Sequence, residues 1–359
     1  MLKITETQNR DVWEKFISEN AFTTFMQSWD FGNFENNTGH KAKRYLITVN
    51  NILQAVCQVI VIKAKKGSFL YIPHGPIFEK NLIPVESYQN ENFEFSENQK
   101  IILKNIFSEI YSFLKKIAAQ EKCSFIRFNT SLPNNPKLLK CINSSNMHFA
   151  PIYLTSENAC VIDLRGKNTD TLLQNMRKTT RYSIKKSMKE AVSISQKPKE
   201  EFFEIFLKLY EETTSREGFT GFSESYLREE FEAFEKENNT ITFIASQNSH
   251  NLAAGLFIKT NNALFYHQGA SNHPKVPAPY LLQWHAILFA LESGCQFYNF
   301  WGTYIPHRTP KSWTGLSLFK EGFGTQTWSY IPTYDIVIDY PRYIITNLIE
   351  RYIRLKRQV

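Results

Sequence analysis

Apolar positions recur at helical spacing near the start of the chain, where Val12, Trp13, Phe16 and Ile17 mark a helix from about Asn9 to Glu19. An aromatic-rich segment follows, Thr24 to Asn36. The period then shortens to two. Arg44 to Val49, Leu53 to Lys63 and Ser68 to Ile72 read as three strands, the first two joined by a turn at Asn50-Asn51. A polar surface excursion, Glu79 to Asn98, precedes a helix from about Gln99 to Gln120, which runs into the strand Cys123 to Asn129.

The same order returns later in the chain. Thr242 to Ser246, Leu252 to Lys259 and Ala263 to Gln268 read as strands, followed by a helix from about Ala278 to Ser293 and the strand Cys295 to Trp301. Local echoes accompany it: EKCSFIRFNTS resembles ESGCQFYNFWG. A repeated meander–helix–strand order predicts two similar α+β domains, since solenoid repeats are only about 20 to 50 residues long. A ligand site is expected in a cleft between the two domains. Helical tracts over about Thr169 to Glu190, Lys199 to Glu217 and Ser223 to Glu237 separate the halves, and none carries a sustained heptad pattern. A last helix, about Pro341 to Arg357, sets Ile344, Ile345, Leu348, Ile349 and Ile353 opposite Arg351, Arg354, Lys356 and Arg357. Packing of that apolar side against the first domain is the expectation, with anionic lipid as the alternative.

With 359 residues, 42% hydrophobic and 14% aromatic, the chain can fill two cores. No apolar run approaches the roughly 20 residues that span a bilayer. The opening MLKITETQNRDVWEKF has no signal-type stretch, so cytoplasmic residence is expected. Five scattered cysteines, without a CxxC pair or a Cys/His grouping, predict reduced thiols and no metal site. A net charge of +8 favours anionic partners such as RNA, phosphorylated small molecules or an acidic membrane surface.

Three segments stand out chemically. RKTTRYSIKKSMK holds six basic residues and no acidic one; on a continuous helix Arg177, Arg181, Lys185 and Lys189 share a face that suits phosphate, and Lys178 adds to it. The equal alternative is a solvated helix face. In TSREGFTGFSESY, Arg216 follows the long helix beside Gly218 and Gly221, where a guanidinium on a turn suits a phosphate. YNFWGTYIPHRTPKSWTGLSLFKEGFG mixes glycines with aromatics, from Trp301 and Gly302 to Phe319 and Phe323, and reads as a shaped substrate-contacting loop. Lys320 lies within it, suited to stabilising developing negative charge, although a lysine before a Glu-Gly turn is ordinarily a surface residue. Of eight histidines, His267 and His273 flank this candidate site. GxSxG, P-loop, HExxH and GxGxxG signatures are absent from the sequence.

Taken in order, FMQSWDFGNF, YIPHGPIF, MRKTTRYSIKKSMKEAV, TSREGF, LFYHQGASN, LLQWHAILFALESGCQFYNFWG and GLSLFKEGFG resemble the FemABX family across nearly the whole chain. The resemblance implies two tandem acetyltransferase-like (GNAT-like) domains, residues 1–155 plus 332–359 and residues 156–331, without a coiled-coil arm. It implies transfer of an amino acid from aminoacyl-tRNA to the stem peptide of a UDP-linked or lipid-linked peptidoglycan precursor, with no cofactor and no metal, in the cytoplasm or at the inner membrane face. It makes Lys320, paired with Phe319, the catalytic choice, and gives Arg216 and Tyr266 contacts to the precursor's phosphates or sugar. Two departures touch acceptor binding: Glu35 stands where the family usually has a phosphate-binding lysine, with Lys41 or Lys43 as possible substitutes, and His74 stands where arginine is frequent. Two other readings compete. An acyl-coenzyme A N-acyltransferase of the same fold calls for a glycine-rich pyrophosphate loop that the sequence lacks. A non-catalytic RNA- or membrane-surface-binding protein would use the basic run and the last helix.

Overall fold

The computed structural model describes residues 1–64, 67–143, 146–218, 220–272 and 275–356. The chain divides into two compact units, one of Met1–Ala159, Tyr304–Lys311 and Trp328–Val359, the other of Cys160–Thr303 and Ser312–Thr327.

The first unit opens with strand β1 (Leu2–Glu6) and helices α1 (Arg10–Asn20) and α2 (Trp29–Asn37). The Asn9 side chain caps α1 by accepting from the Val12 amide, and Ser28 caps α2 in the same way through Phe31. Strands β2 (Lys41–Val49), β3 (Ile52–Ala64) and β4 (Gly67–His74) form an antiparallel meander. Asn50 and Asn51, with φ of 50° and 64°, make the tight turn between β2 and β3 that their sequence calls for. After β5 (Ile77–Phe78) and the short α3 (Glu86–Gln89), a capping box at Ser96 and Gln99 starts the long helix α4 (Glu97–Gln120). Leu103, Ile106, Phe107, Ile110, Tyr111, Leu114, Ile117 and Ala118 line its buried face, and each large apolar side chain there contributes about 1.5–3 kcal/mol. Strand β6 (Phe125–Thr130) then pairs parallel with β4 over its whole length, Phe69 with Phe125 through His74 with Thr130. Helix α5 (Pro136–Ile142) and strand β7 (Met147–Phe149) complete this half.

The second unit takes β8 (Asn158–Asp163), helices α6 (Thr169–Asn175) and α7 (Lys178–Lys189), and strand β9 (Ser193–Ser195). Helices α8 (Lys199–Glu217) and α9 (Glu224–Glu235) lead into the meander β10 (Thr240–Gln247), β11 (His250–Lys259) and β12 (Ala263–Ser271). Asn248 and Ser249, at φ 48° and 64°, repeat the turn of the first unit. Helix α10 (Ala278–Glu292) and strand β13 (Phe297–Asn299) follow, with β13 parallel to β12. Helix α11 (Trp313–Glu321) and edge strand β14 (Gln326–Ser329) close the unit.

The chain ends in β15 (Tyr334–Val337) and α12 (Tyr340–Lys356). The first sheet runs β1-β2-β3-β4-β6-β15-β7, the second β9-β10-β11-β12-β13-β8-β14. The two orders correspond strand for strand, with the place of β15 taken by β8 in the second sheet. Arg127 fastens the C-terminal segment to β6. Its guanidinium donates to both Asp335 carboxylate oxygens at 2.8 Å and to both Glu350 oxygens at 2.9 and 2.7 Å. All three residues are buried, and the α12 face turned inward is polar: besides Glu350 it carries Tyr343 and Thr346. Of the apolar side expected to pack inward, Ile344, Ile345 and Leu348 are exposed and only Ile349 and Ile353 are half-buried, because Arg127, already paired with Asp335 of β15, draws Glu350 and its face of α12 inward.

Candidate functional site

The second sheet differs from the first in how far its central parallel strands stay paired. Strands β12 and β13 pair only from Ala263–Phe297 to Phe265–Asn299 and then part, whereas β4 and β6 stay paired for six residues. Beyond Phe265, β12 has no strand partner on its β13 side among the described residues. A register shift in the pairing of β12 with β11 leaves His267 as the extra residue between Tyr266 and Gln268. Bulges of this kind re-aim side chains beside functional centres.

Where the strands part, Trp301 takes φ +66°, a conformation disfavoured for a bulky residue, and the chain turns through Gly302. Lys320, in the last turn of α11, donates from Nζ to the Gly302 carbonyl at 2.6 Å. The position suits a cation, since a helix C-terminus carries partial negative charge. Lys320 is only 5% exposed, against the expectation that a lysine before a Glu-Gly turn sits on the surface. Burial pushes its ammonium down from 10.5 to about 8. Phe319 points the other way, packing edge-on to Tyr280 at 4.8 Å and to Phe323 at 5.4 Å. The segment read as a loop is thus a helix with its catalytic candidate facing inward.

That helix end is held by the basic run. The sequence suggests one helix over Thr169 to Glu190, but the chain breaks at Met176-Arg177, and Arg177 is the N-cap of α7. The Arg177 amide donates to Gly322 O at 2.9 Å, and its guanidinium reaches Leu318 O at 3.2 Å and Glu321 at 3.0 Å. Gly324, at φ +78°, lies so close to Asn175 that a Cβ there would sit 2.7 Å from its carbonyl oxygen. Arg181 turns its guanidinium onto the carbonyls of Leu173, Gln174 and Met176 at the end of α6. Two of the four arginines and lysines expected on a free basic face are therefore engaged in bracing the site; Lys178, Lys185 and Lys189 are exposed.

Arg216 lies in the last turn of α8 and not on the turn after it. Its guanidinium donates to Ser271 O at 2.8 Å, and to Glu217 at 3.0 Å, which joins α8 to the far end of β12. Tyr266 packs on Phe257 and Phe300, and burial pushes its phenol up to about 12. Gly269 makes room for it, because a Cβ at that position would meet the Tyr266 hydroxyl at 1.6 Å. His267 sits 2.8 Å from Glu230 of α9, and both side chains are buried. Glu230 escapes a sequence reading; its signal is a carboxylate on the apolar stripe of α9 with Leu227, Phe231 and Phe234. His273 lies outside the described residues, as do Phe219 and Arg357.

The two departures in the first unit are both buried. Glu35 is 8% exposed and its carboxylate contacts His40 Nδ1 at 2.6 Å, which raises the His40 pKa. Lys41 and Lys43, the lysines expected to compensate for Glu35, both pair with Glu121, at 3.0 and 2.9 Å. His74 is fully buried against Ser156 O at 2.8 Å, and burial holds its imidazole down at about 4, hence neutral. Gln27 links the two motifs that flank these residues, donating to Pro73 O at 2.7 Å and accepting from the Gln58 amide at 2.7 Å.

Helix α10 opens with Pro277 and Ala278 and has Pro in its first turn, and no side-chain cap bond is formed. A proline there removes a backbone N–H that a pyrophosphate would need. Among the described residues, no group of three or more His, Cys, Asp or Glu side chains is arranged to hold a metal ion. Among the described residues, no helix is long and apolar enough to cross a membrane.

Comparison with known proteins places this arrangement. Aminoacyltransferase FemB of Staphylococcus epidermidis is 22% identical over 253 residues, covering 53% of this chain and 60% of the relative. The chain thus spans about 60% of the length of the curated relatives it matches. The crystal structure of FemX superposes with a TM-score of 0.79 at 16% identity, over 97% of this chain and 100% of that one. A tandem GNAT protein from the clavulanic acid biosynthesis pathway superposes with a TM-score of 0.52 at 8% identity, over 94% of this chain and 99% of that one. The fold is therefore α+β with two tandem GNAT-like domains. The FemAB family model matches residues 153–246 and 235–351, more than half of the sequence, and the chain belongs to the FemAB family.

Proposed function

We propose that this chain is an aminoacyltransferase that moves an amino acid from aminoacyl-tRNA to an amine on the stem peptide of a peptidoglycan precursor. The observation that carries the reading is Lys320, a buried ammonium 2.6 Å from Gly302 O at the parting of β12 and β13, in a chain of the FemAB family. The name of the FemB relative, an aminoacyltransferase, supports the reaction class.

An aminoacyl ester is already activated, so the enzyme must position the amine and stabilise the tetrahedral oxyanion. The amine nitrogen forms a bond to the ester carbonyl carbon, and the carbonyl oxygen takes the negative charge. Collapse breaks the bond to the ribose oxygen, which leaves as a hydroxyl, while the amine gives up a proton. An ammonium carries three donors, and the Gly302 carbonyl takes one from Lys320. The others serve the oxyanion. His267, held by Glu230, accepts the amine's proton, and that proton ends on the departing ribose oxygen, which restores neutral His267. Arg216 and Tyr266 contact the phosphates or sugar of the acceptor, Trp301 and Gly302 line the substrate path, and the exposed Lys178 meets the tRNA backbone. UDP-linked and lipid-linked precursors both offer the required amine.

Radiolabelled transfer from aminoacyl-tRNA to each precursor tests the proposal. Lys320→Ala is expected to lower it by at least ~10²-fold with the fold intact, on the scale of one lost oxyanion donor. Unchanged turnover removes Lys320 from the mechanism.

A further inference from the structure

We propose that helix α12 docks the protein on an anionic lipid bilayer surface. The helix is turned inside out relative to an ordinary surface helix. Its inward side carries Tyr343, Thr346 and Glu350, held to the first unit through Arg127. Its outward side carries Ile344, Ile345, Leu348, Tyr352 and Leu355, which are 52%, 60%, 61%, 59% and 75% exposed. At 3.6 residues per turn these five side chains fall on one continuous stripe.

The border of the stripe identifies what covers it. Arg351 flanks one side and Lys356 the other, both exposed, while Arg342 at the start of the helix pairs with Asp339 at 3.4 Å. The only acidic residue in the helix, Glu350, is buried against Arg127. Tyr340 and Tyr352 sit at the edges, 49% and 59% exposed, where amphipathic rings favour a membrane–water boundary. An apolar stripe between cationic rims is the signature of a helix that lies in the interface plane of an anionic membrane. A second copy of the chain fits this face poorly, because packing two such stripes together brings the Arg351 and Lys356 cations against one another, and Glu350, the one acidic residue of α12, is buried. The Arg127 anchor makes the device rigid: the polar contacts fix the rotation of α12, so the apolar stripe faces outward in the folded protein without any rearrangement.

Vesicle co-sedimentation with the full chain tests the proposal. Binding to phosphatidylglycerol-containing vesicles is expected, with weak binding to phosphatidylcholine alone and weakening in high salt. Ile345→Ser with Leu348→Ser, and separately Arg351→Glu with Lys356→Glu, should each lower affinity for the anionic vesicles by about tenfold or more. Because these side chains are exposed, both variants should keep the wild-type thermal midpoint and wild-type turnover on a soluble acceptor, which separates failure here from failure of the transfer reading. Absence of binding to either vesicle, or equal binding to both, overturns the proposal. So does a dimer, seen by light scattering, that dissociates in the Ile345→Ser, Leu348→Ser variant.

Discussion

Replacing Lys320 by methionine removes a cation buried in the second unit, and the consequence for stability can be worked out. Burial lowers the ammonium from 10.5 to about 8. At about 1.4 kcal/mol per tenfold change in proton affinity, keeping it charged costs on the order of 3 kcal/mol. Methionine fills similar volume without that cost, but leaves the Gly302 carbonyl without its 2.6 Å donor, a loss of roughly 1 kcal/mol. Lys320→Met is therefore expected to be about 2 kcal/mol more stable than wild type at pH 7, and to lose transfer activity. The sign of the pH dependence follows from linkage. A lysine with a depressed folded-state pKa binds fewer protons folded than unfolded, so its penalty is full below about 8 and fades as pH rises from there towards 10.5. The gap between variant and wild type should narrow over that window. Urea denaturation of both proteins at neutral and alkaline pH measures it. A variant less stable than wild type at pH 7, or a gap that does not change with pH, refutes the burial of a charged ammonium.

Other perturbations probe other parts of the account. Arg127→Ala leaves Asp335 and Glu350 buried without their cation and should cost about 3–5 kcal/mol by urea denaturation. Gly269→Ala places a methyl at the Tyr266 hydroxyl, so the phenol must move; KM for the acceptor should rise by at least about tenfold, with a smaller change in kcat. Glu35→Gln removes the carboxylate that raises His40, and the imidazole titration followed by NMR should shift down towards its ordinary value. His267→Gln should lower kcat by ~10²-fold or more at neutral pH, with recovery at alkaline pH where the acceptor amine deprotonates unaided.

Much of the fold is legible in the sequence because it is written locally. The Asn50-Asn51 turn, the period-two runs of β2 and β3 and the helical spacing of α4 each specify themselves. The short strands β8 and β15 do not, since only long-range pairing with β13 and β6 makes them strands. The break between α6 and α7 is hidden for a related reason: Arg177 and Arg181 read as surface charge, and only the tertiary structure supplies the carbonyls and the Glu321 that they bind. Lys320 stands out through its aromatic and glycine neighbours, but its burial depends on α11 forming within a segment whose glycines and prolines suggest a loop. The outward apolar side of α12 is the converse case. Periodicity locates the stripe, while the carboxylate demand of Arg127, which acts across 223 positions of sequence, decides which way it faces.

The central claim is tested most directly by supplying radiolabelled aminoacyl-tRNA to the purified protein with UDP-linked and lipid-linked muropeptides, beside the same acceptors with labelled acetyl-coenzyme A. The account predicts labelled muropeptide from the tRNA donor, abolished when ribonuclease precedes the enzyme and absent with Lys320→Met. Product formed only from acetyl-coenzyme A, or from neither donor, contradicts it.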